Sequence, residues 1–274
     1  MKSPSLLVTS RCLRCRFLPL RSLRRPSLAI LSLLFLWPMF AMQARPATED
    51  AAEATRPRAI VIGFMGGNVG SHNATRNELI IANRLRVTYP HGAYIEIYEN
   101  RRLEDAHQKI LYLLGERPGL ALSAEQKTGA RIILYGHSWG ASAVVALAEE
   151  LQHDGIPVAL TVQVDSVEKN GKDDSVIPSN VERAVNFYQP SGMLHGRTEI
   201  RAADASRTQI LGNFKVSYKQ APAECRPYPW FERVFIKAHI AIECDPVLWQ
   251  RIEGLIRESL HESLGGPAEE TATR

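Results

Sequence analysis

The sequence predicts an α/β fold in which a mostly parallel central sheet is flanked by helices. Short apolar segments rich in β-branched residues alternate along the chain with segments whose apolar residues recur at helical spacing. This alternation is typical of βαβ units, whose strands are parallel. The 274 residues are 45% hydrophobic and 23% charged, which fits a folded domain and excludes collagen-like repeats, disordered acidic tails and cysteine-dense mini-proteins.

The pattern assigns the elements in chain order. Strands are predicted at 58–63, 93–98, 131–135, 159–164 and 184–188. Helices are predicted at 75–88, 103–114 and 141–151, and a last helix begins near Asp245, where an N-cap is followed by Pro246. Residues 190–232 are rich in Gly and Pro, and they are predicted to form an irregular excursion over one edge of the sheet.

The first 44 residues predict a secretory signal peptide. They hold seven basic and no acidic residues, followed by an apolar run at 28–42 and a small residue, Ala44. The run is short for a membrane-spanning helix, but an uncleaved membrane anchor is the alternative. The predicted organisation is a leader at 1–44, a linker at 45–57, an α/β domain at 58–264 and a flexible tail at 265–274.

The leader accounts for the positive charge of the chain. The formal net charge is +4 from 33 basic and 29 acidic residues, and without the leader's seven basic residues it becomes about −3. The charge pattern therefore excludes a nucleic-acid partner. The predicted location is the bacterial periplasm or the exterior of the cell. Anchoring to the inner membrane by residues 28–42 is the alternative, and this segment is the only expected contact with a membrane.

The cysteines divide between the leader and the domain. Cys12 and Cys15 form a C-x-x-C in the leader with no second ligand pair nearby, which is weak evidence for zinc. Cys225 and Cys244 lie in the domain, and two cysteines in an exported protein predict one disulfide. Two buried free thiols are the alternative.

The most informative motif is Gly136-His-Ser-Trp-Gly140. It follows a predicted strand and precedes a helix of small residues, which is the context of a nucleophile elbow. Such a turn raises the serine hydroxyl above the carboxyl edge of the sheet, and the helix N-terminus adds N–H donors for a developing oxyanion. Ser138 is therefore the predicted nucleophile.

A serine nucleophile requires a base and an acid that orients it, in the chain order Ser, acid, His. His239 is the predicted base because it stands in a late loop just before the last helix, and His195 is the alternative. His261, near the polar end of the last helix, is predicted to be solvated. Asp165 is the predicted acid because it ends the first strand after the nucleophile helix, at the edge that carries Ser138. The rival acids are Asp173, Asp174 and Asp204.

Two backbone N–H groups are needed to bind the oxyanion. Trp139, the residue after the nucleophile, is one predicted donor. Phe64, in the glycine-rich loop after the first strand, is the second, and Met65 is the alternative. This loop lacks the Gly-Lys-Ser/Thr of a phosphate-binding loop and the spacing of a dinucleotide site.

Taken together, the glycine-rich loop, the elbow, Asp165 and His239 resemble the α/β-hydrolase superfamily, in particular small bacterial lipase-like and thioesterase-like serine hydrolases. The resemblance spans about residues 58–261, and the elbow is its sharpest motif. It implies an α/β-hydrolase fold. Most members carry the acid after the next strand, where this chain reads Asn186-Phe-Tyr-Gln-Pro, whereas some lipases carry it at the position of Asp165.

The function predicted from these residues is hydrolysis of a carboxylic ester or thioester through an acyl-enzyme on Ser138. No metal or organic cofactor is required, and the expected partner is a small acyl ester or thioester. The alternatives are acyl transfer to another acceptor on the same fold, and a hydrolase-like binding module without catalysis.

Overall fold

The fold is described from a computed structural model, which describes residues 56–169, 171 and 173–264. The predicted leader, the predicted tail and the linker up to residue 55 lie outside the described residues, and these boundaries stay predictions. Within the described part of the chain, no helix combines the length and the apolar character needed to cross a membrane.

Six parallel strands form the central sheet, in the order β2-β1-β3-β4-β6-β8. They are β1 Ala59–Met65, β2 Ala93–Glu99, β3 Arg131–His137, β4 Val158–Val164, β6 Val181–Tyr188 and β8 Gln209–Lys215. Two short strands, β5 Val176–Ile177 and β7 Arg201–Ala202, pair separately. The predicted fold class is confirmed, because a six-stranded parallel sheet flanked by helices is the α/β-hydrolase arrangement.

Helices cover both faces of the sheet. They are α1 Asn77–Thr88, α2 Leu103–Leu114, α3 Ala124–Lys127, α4 Trp139–His153, α5 Trp230–Phe235, α6 Lys237–Glu243 and α7 Pro246–Leu264. On one face, α2 and α4 pack against alternate residues of the strands, such as Ile62 and Leu134. On the other face, α1 and α7 pack against the intervening residues, such as Val61 and Ile133. The central strands are therefore buried on both sides, as continuous apolar runs predict.

The segment 190–232 is more regular than the sequence predicts. It contributes β8, which pairs with β6 as the edge strand of the sheet, and also β7 and the start of α5. The strand is hard to recognise because its side chains are exposed or only half-buried and because Gly212 interrupts it at φ +154°. An edge strand lacks the full apolar run of a central one.

Helix α4 approaches the sheet closely at Gly140. A β-carbon at Gly140 would overlap the carbonyl oxygen of Phe64, and one at Gly136 would lie 2.6 Å from the backbone of Gly140. These two glycines are therefore required by the packing of the strand–turn–helix unit that holds Ser138.

Replacing Gly140 by alanine is expected to lower the free energy of unfolding by about 3 kcal/mol, because the methyl group would push α4 off β1. Gly254, on the exposed side of α7, offers a matched control, since a β-carbon there meets nothing within 4 Å. Gly254→Ala should raise the free energy of unfolding by about 0.5–1 kcal/mol through helix propensity. Urea unfolding of both variants measures the difference, and equal effects would contradict the close approach.

Candidate active site

The turn between β3 and α4 holds Ser138 in a strained backbone conformation. Ser138 has φ 56° and ψ −126°, and among the described residues only Asp165 shares a positive φ without being a glycine. Such a conformation costs about 1–3 kcal/mol and persists only where the surroundings enforce it. Here the enforcing contacts are the flanking glycines and a hydrogen bond from the N–H of Ser138 to the carbonyl of Val164, at 2.9 Å.

Asp165 lies directly after β4 and is completely buried. Its Oδ1 accepts hydrogen bonds from the N–H groups of Gly196, at 2.8 Å, and Gln189, at 3.2 Å. Its Oδ2 accepts from Gln189 Nε2, at 2.9 Å, and lies 2.7 Å from His239 Nδ1. Four donors thus compensate this buried group, which satisfies the requirement for a carboxylate in the protein interior.

His239 lies on α6 rather than in the loop that the sequence predicts. A carboxylate oxygen only accepts hydrogen bonds, so the contact with Asp165 places a proton on Nδ1. In the neutral imidazole, Nε2 is then left as an acceptor, which is the arrangement a general base needs. His239 is 3% exposed, and its ring packs against that of His137 with 4.5 Å between the ring centroids.

Ser138 and His239 line the same cavity, which has a volume of about 460 Å³. Its apolar wall is formed mainly by Val69, Val167, Leu194, Phe231 and Ile236. The volume is within the range typical of small-molecule sites, which is about 300–1,000 Å³. Asp165 lies behind His239 and is not among the residues that line the cavity.

Of the residues predicted to donate an N–H to the oxyanion, Trp139 lines the cavity of Ser138, whereas Phe64 and Met65 do not. Trp139 is the first residue of α4 and lines the cavity, next to Ser138. Phe64 and Met65 are fully buried in β1, and neither lines the cavity. The two residues that follow them, Gly66 and Gly67, do line it, and a β-carbon on Gly66 would lie 3.2 Å from Cβ of Ser138.

The alternative bases and acids lie elsewhere. Neither His195, which is exposed, nor His261, which contacts the Tyr89 hydroxyl, lines the cavity of Ser138. Asp174 is buried but binds Ser166 and Arg197. The other two candidate acids bond serines two residues later in their own loops, Asp173 with Ser175 and Asp204 with Ser206.

Cys225 and Cys244 form the predicted disulfide, with their Cα atoms 5.3 Å apart. The bridge joins the short 3₁₀ helix Ala223–Cys225 to the residue that follows α6. It therefore closes a loop of chain that contains both α5 and the helix that carries His239.

Removing the bridge in a Cys225→Ser/Cys244→Ser variant is expected to lower the free energy of unfolding by roughly 3 kcal/mol, because a loop of this length gains entropy in the unfolded chain. The sequence separation of the two cysteines is 19 residues. Urea unfolding with and without a reducing agent measures the effect. On reduction, the free energy of unfolding of the wild-type protein should fall to that of the variant, whereas that of the variant should not change. A variant that loses stability on reduction would contradict this assignment.

A buried charge cluster adjoins the cavity and was not predicted from the sequence. Arg76 binds Glu243 Oε2 through Nη1, at 2.5 Å, and Glu232 Oε2 through Nη2, at 2.9 Å. Glu78 and His137 complete the cluster, and His137 Nδ1 lies 3.5 Å from Glu243 Oε2. No sequence signal marks the cluster, because Arg76 and Glu243 are 167 residues apart in the chain.

Burial shifts the pKa values in this cluster. It raises the pKa of Glu78 to about 7, against the lowering effect of nearby backbone N–H groups and Arg76. Burial, together with the charge of Glu78, raises the pKa of Glu243 to about 8. Burial also lowers the pKa of His137 well below its ordinary value, and the neighbouring His239 adds to this. The ring of His137 is therefore neutral at physiological pH.

No protein-family model and no curated protein matches the sequence. Solved structures do resemble the fold. A cutinase-like protein from Cryptococcus sp. aligns at 15% identity over 78% of this chain and 98% of its own, with a TM-score of 0.40. Human thioesterase 2 aligns at 10% identity over 77% and 100%, with a TM-score of 0.39.

An acetylxylan esterase gives the same values as the human thioesterase, 10% identity, 77% and 100% coverage and a TM-score of 0.39. All three similarities are weak. The α/β-hydrolase fold is accordingly defined by the order of the six parallel strands and the turn at Ser138.

Proposed function

We propose that the protein is an exported serine hydrolase that cleaves a carboxylic ester or thioester through an acyl-enzyme on Ser138. One observation carries the proposal. His239 contacts Asp165 at 2.7 Å and lines the same cavity as Ser138, whose strained turn stands at the carboxyl edge of the sheet. A nucleophile, a base and a group that orients the base are the parts that acyl transfer requires.

In the proposed reaction, Ser138 attacks the acyl carbon while His239 Nε2 takes the hydroxyl proton. Asp165 fixes the Nδ1–H tautomer and stabilises the imidazolium that forms. His239 then gives the proton to the leaving alcohol or thiol, and the acyl group remains on Ser138. A water molecule, activated by the same imidazole, releases the acid and restores the serine.

The proposed oxyanion site combines the N–H of Trp139 with an N–H from the chain after β1. Residues Gly66 and Gly67 line the cavity next to Ser138, whereas Phe64 and Met65 are buried within the strand. This favours the glycine segment as the source of the second donor. Absence of a side chain on Gly66 allows the backbone to approach the turn closely.

Export is supported by two features of the chain. The predicted leader at 1–44 has the composition of a secretory signal. The Cys225–Cys244 disulfide fits an oxidising compartment, such as the periplasm or the cell exterior. Expression with and without residues 1–44, followed by cell fractionation, tests this part of the proposal, and cytoplasmic retention of the complete chain would contradict it.

The proposed reaction is tested by labelling with a fluorophosphonate probe. Folded protein should label stoichiometrically, and peptide mapping should place the adduct on Ser138. A His239→Gln variant should label far more slowly, because the hydroxyl then has no base. Folded wild-type protein that does not label would exclude a serine hydrolase. If the protein labels, its turnover of esters and thioesters with matched acyl groups defines the substrate class.

Gln189 follows β6, at the end of the strand where the resembled family more often carries its acid. It is buried, and its side-chain amide bonds both Asp165 and the carbonyl of Leu194, at 2.9 and 3.0 Å. We therefore assign it the role of holding Asp165 in place. The side-chain oxygen Oε1 of Gln189 accepts from the N–H of Ser191, at 2.8 Å.

Gln189→Met is expected to lower kcat for ester hydrolysis about tenfold and to leave KM nearly unchanged, because Asp165 loses one charge-assisted hydrogen bond. Gln163→Met is the matched control, since Gln163 is equally buried but bonds the carbonyl of Asp174. A loss of kcat in both variants, or in neither, would contradict the assigned role of Gln189.

A further inference from the structure

The buried cluster beside the catalytic cavity contains three side chains that suit a metal ion. Glu78, His137 and Glu243 each offer one ligand atom, and these atoms all lie within 4.8 Å of one another. All three residues are buried, and none takes a step in the proposed hydrolysis. We propose that Glu78, His137 and Glu243 bind a divalent transition-metal ion, for which Zn²⁺ is the best-matched probe.

The first argument is that this cluster has unused ligand atoms. Among the described residues, no hydrogen bond of normal geometry reaches either carboxylate oxygen of Glu78 or either ring nitrogen of His137. The backbone N–H groups of Glu78 and Gly66 lie near the Glu78 carboxylate and act on its charge only weakly. Leaving such buried groups unpaired is unfavourable, and more so for a charged group. A metal ion would compensate lone pairs on both residues at once.

The second argument is the charge balance. The guanidinium of Arg76 is shared by Glu243 and Glu232. Glu78 is buried next to them, and within the part of the chain that the structure describes it forms no ion pair of its own. One cation therefore faces three carboxyl groups. Carboxyl ligands lose their protons when they bind a metal ion, and a dication would then supply the charge that the buried carboxylates require.

The third argument is the chemistry of the donor set. Imidazole nitrogen and carboxylate oxygen together favour zinc and similar first-row ions over Mg²⁺ and Ca²⁺, which prefer oxygen alone. His137 Nδ1 and Glu243 Oε2 are 3.5 Å apart, close to the separation of about 3.3 Å between neighbouring ligands of tetrahedral zinc. The three ligand atoms lie within 4.8 Å of one another, so Glu78 would need to approach by up to about 1.5 Å to complete a site with zinc bonds of normal length.

The cavity provides access to this site. His137 and Glu243 both line the space that also contains Ser138, whereas Glu78 lies behind them. An ion can therefore enter from solvent, and a water molecule can occupy the fourth position. Three protein ligands and one open position form a common coordination pattern for zinc.

The test is titration of the full chain with Zn²⁺ at neutral pH by calorimetry. Because Cys12 and Cys15 could bind zinc themselves, all proteins carry Cys12→Ser and Cys15→Ser. One ion per chain is expected. Glu78→Gln and His137→Asn should each weaken binding about tenfold or more. Asp174→Asn is the control, since it removes a buried carboxylate that Ser166 and Arg197 hold outside the cluster, and it should bind zinc like its parent.

X-ray absorption of the zinc-loaded parent protein keeps the proposal testable if the variants fail to fold. One imidazole with oxygen ligands is expected, and sulfur or several imidazoles would place the ion elsewhere and overturn the proposal. Failure of the parent to bind Zn²⁺ would also overturn it, as would Glu78→Gln and His137→Asn variants that bind Zn²⁺ with the affinity of the parent. If a proton alone neutralises the cluster, the stability of the protein would depend on pH but would not change when zinc is added. This result would also overturn the proposal.

Discussion

Replacing Ser138 by alanine is expected to lower kcat/KM for a p-nitrophenyl ester by about 10⁴-fold or more, because the proposed acyl-enzyme cannot form. The fold should persist, since the side chain of Ser138 makes none of the hydrogen bonds that hold the turn. Those bonds come from its backbone, which donates to Val164 and accepts from Ala141. Ester turnover and circular dichroism of the same preparation measure the two effects separately.

Ser142 provides the matched control for this experiment. It lies one turn further along α4, and its exposure of 6% equals that of Ser138. Ser142→Ala should retain the wild-type activity within a few fold. Full turnover by Ser138→Ala would exclude Ser138 as the nucleophile, and an equal loss in both variants would indicate damage to α4 rather than to the chemistry.

The interior of the fold could be predicted because its strands are buried on both faces. All residues of β1 and β4 are buried. In the sequence β1 is an unbroken apolar run, and β4 is apolar except for Thr161 and Gln163. β8 could not be predicted in this way. It lies at the edge of the sheet, none of its seven residues is buried, and its register shifts where it pairs with Ala184 and Val185.

Two of the three proposed catalytic residues could be predicted from the topology of the sheet. The carboxyl ends of parallel strands meet at one edge of a sheet, so Ser138 after β3 and Asp165 after β4 are neighbours by topology. His239 follows no strand, and its helix could not be predicted from the pattern. Helix α6 has only seven residues, and the cross-link that joins its end to Cys225 is a long-range contact.

The residues that surround Asp165 could not be predicted at all. Gln189 and Gly196 reach it from 24 and 31 residues away, through side-chain and backbone contacts that leave no periodic trace. The same holds for the cluster around Arg76, whose partners come from distant helices. Local patterns determine which elements form, whereas the environment of a buried charge depends on how those elements pack.

Asp165→Asn is expected to lower kcat for ester hydrolysis by about 10³- to 10⁴-fold with little change in the fold. The amide oxygen of asparagine can still accept from the N–H groups of Gly196 and Gln189. Its NH₂ group takes the place of Oδ2, so the hydrogen bond from Gln189 Nε2 is lost. The same NH₂ group faces His239 Nδ1, which must become an acceptor. The imidazole proton consequently moves to Nε2, where it blocks removal of the proton from Ser138.

Asp174→Asn is the matched control, and it also tests the rival assignment of the acid. Asp174 is nearly as buried as Asp165, but it accepts from Ser166 and Arg197 instead of the imidazole. Its substitution should reduce stability, through the weakened pair with Arg197, and should leave kcat within a few fold of the wild type. The reverse result, with kcat lost in Asp174→Asn and retained in Asp165→Asn, would remove Asp165 from the proposed mechanism. Because both substitutions preserve shape and remove one charge, a difference in kcat between them reports on the tautomer of His239.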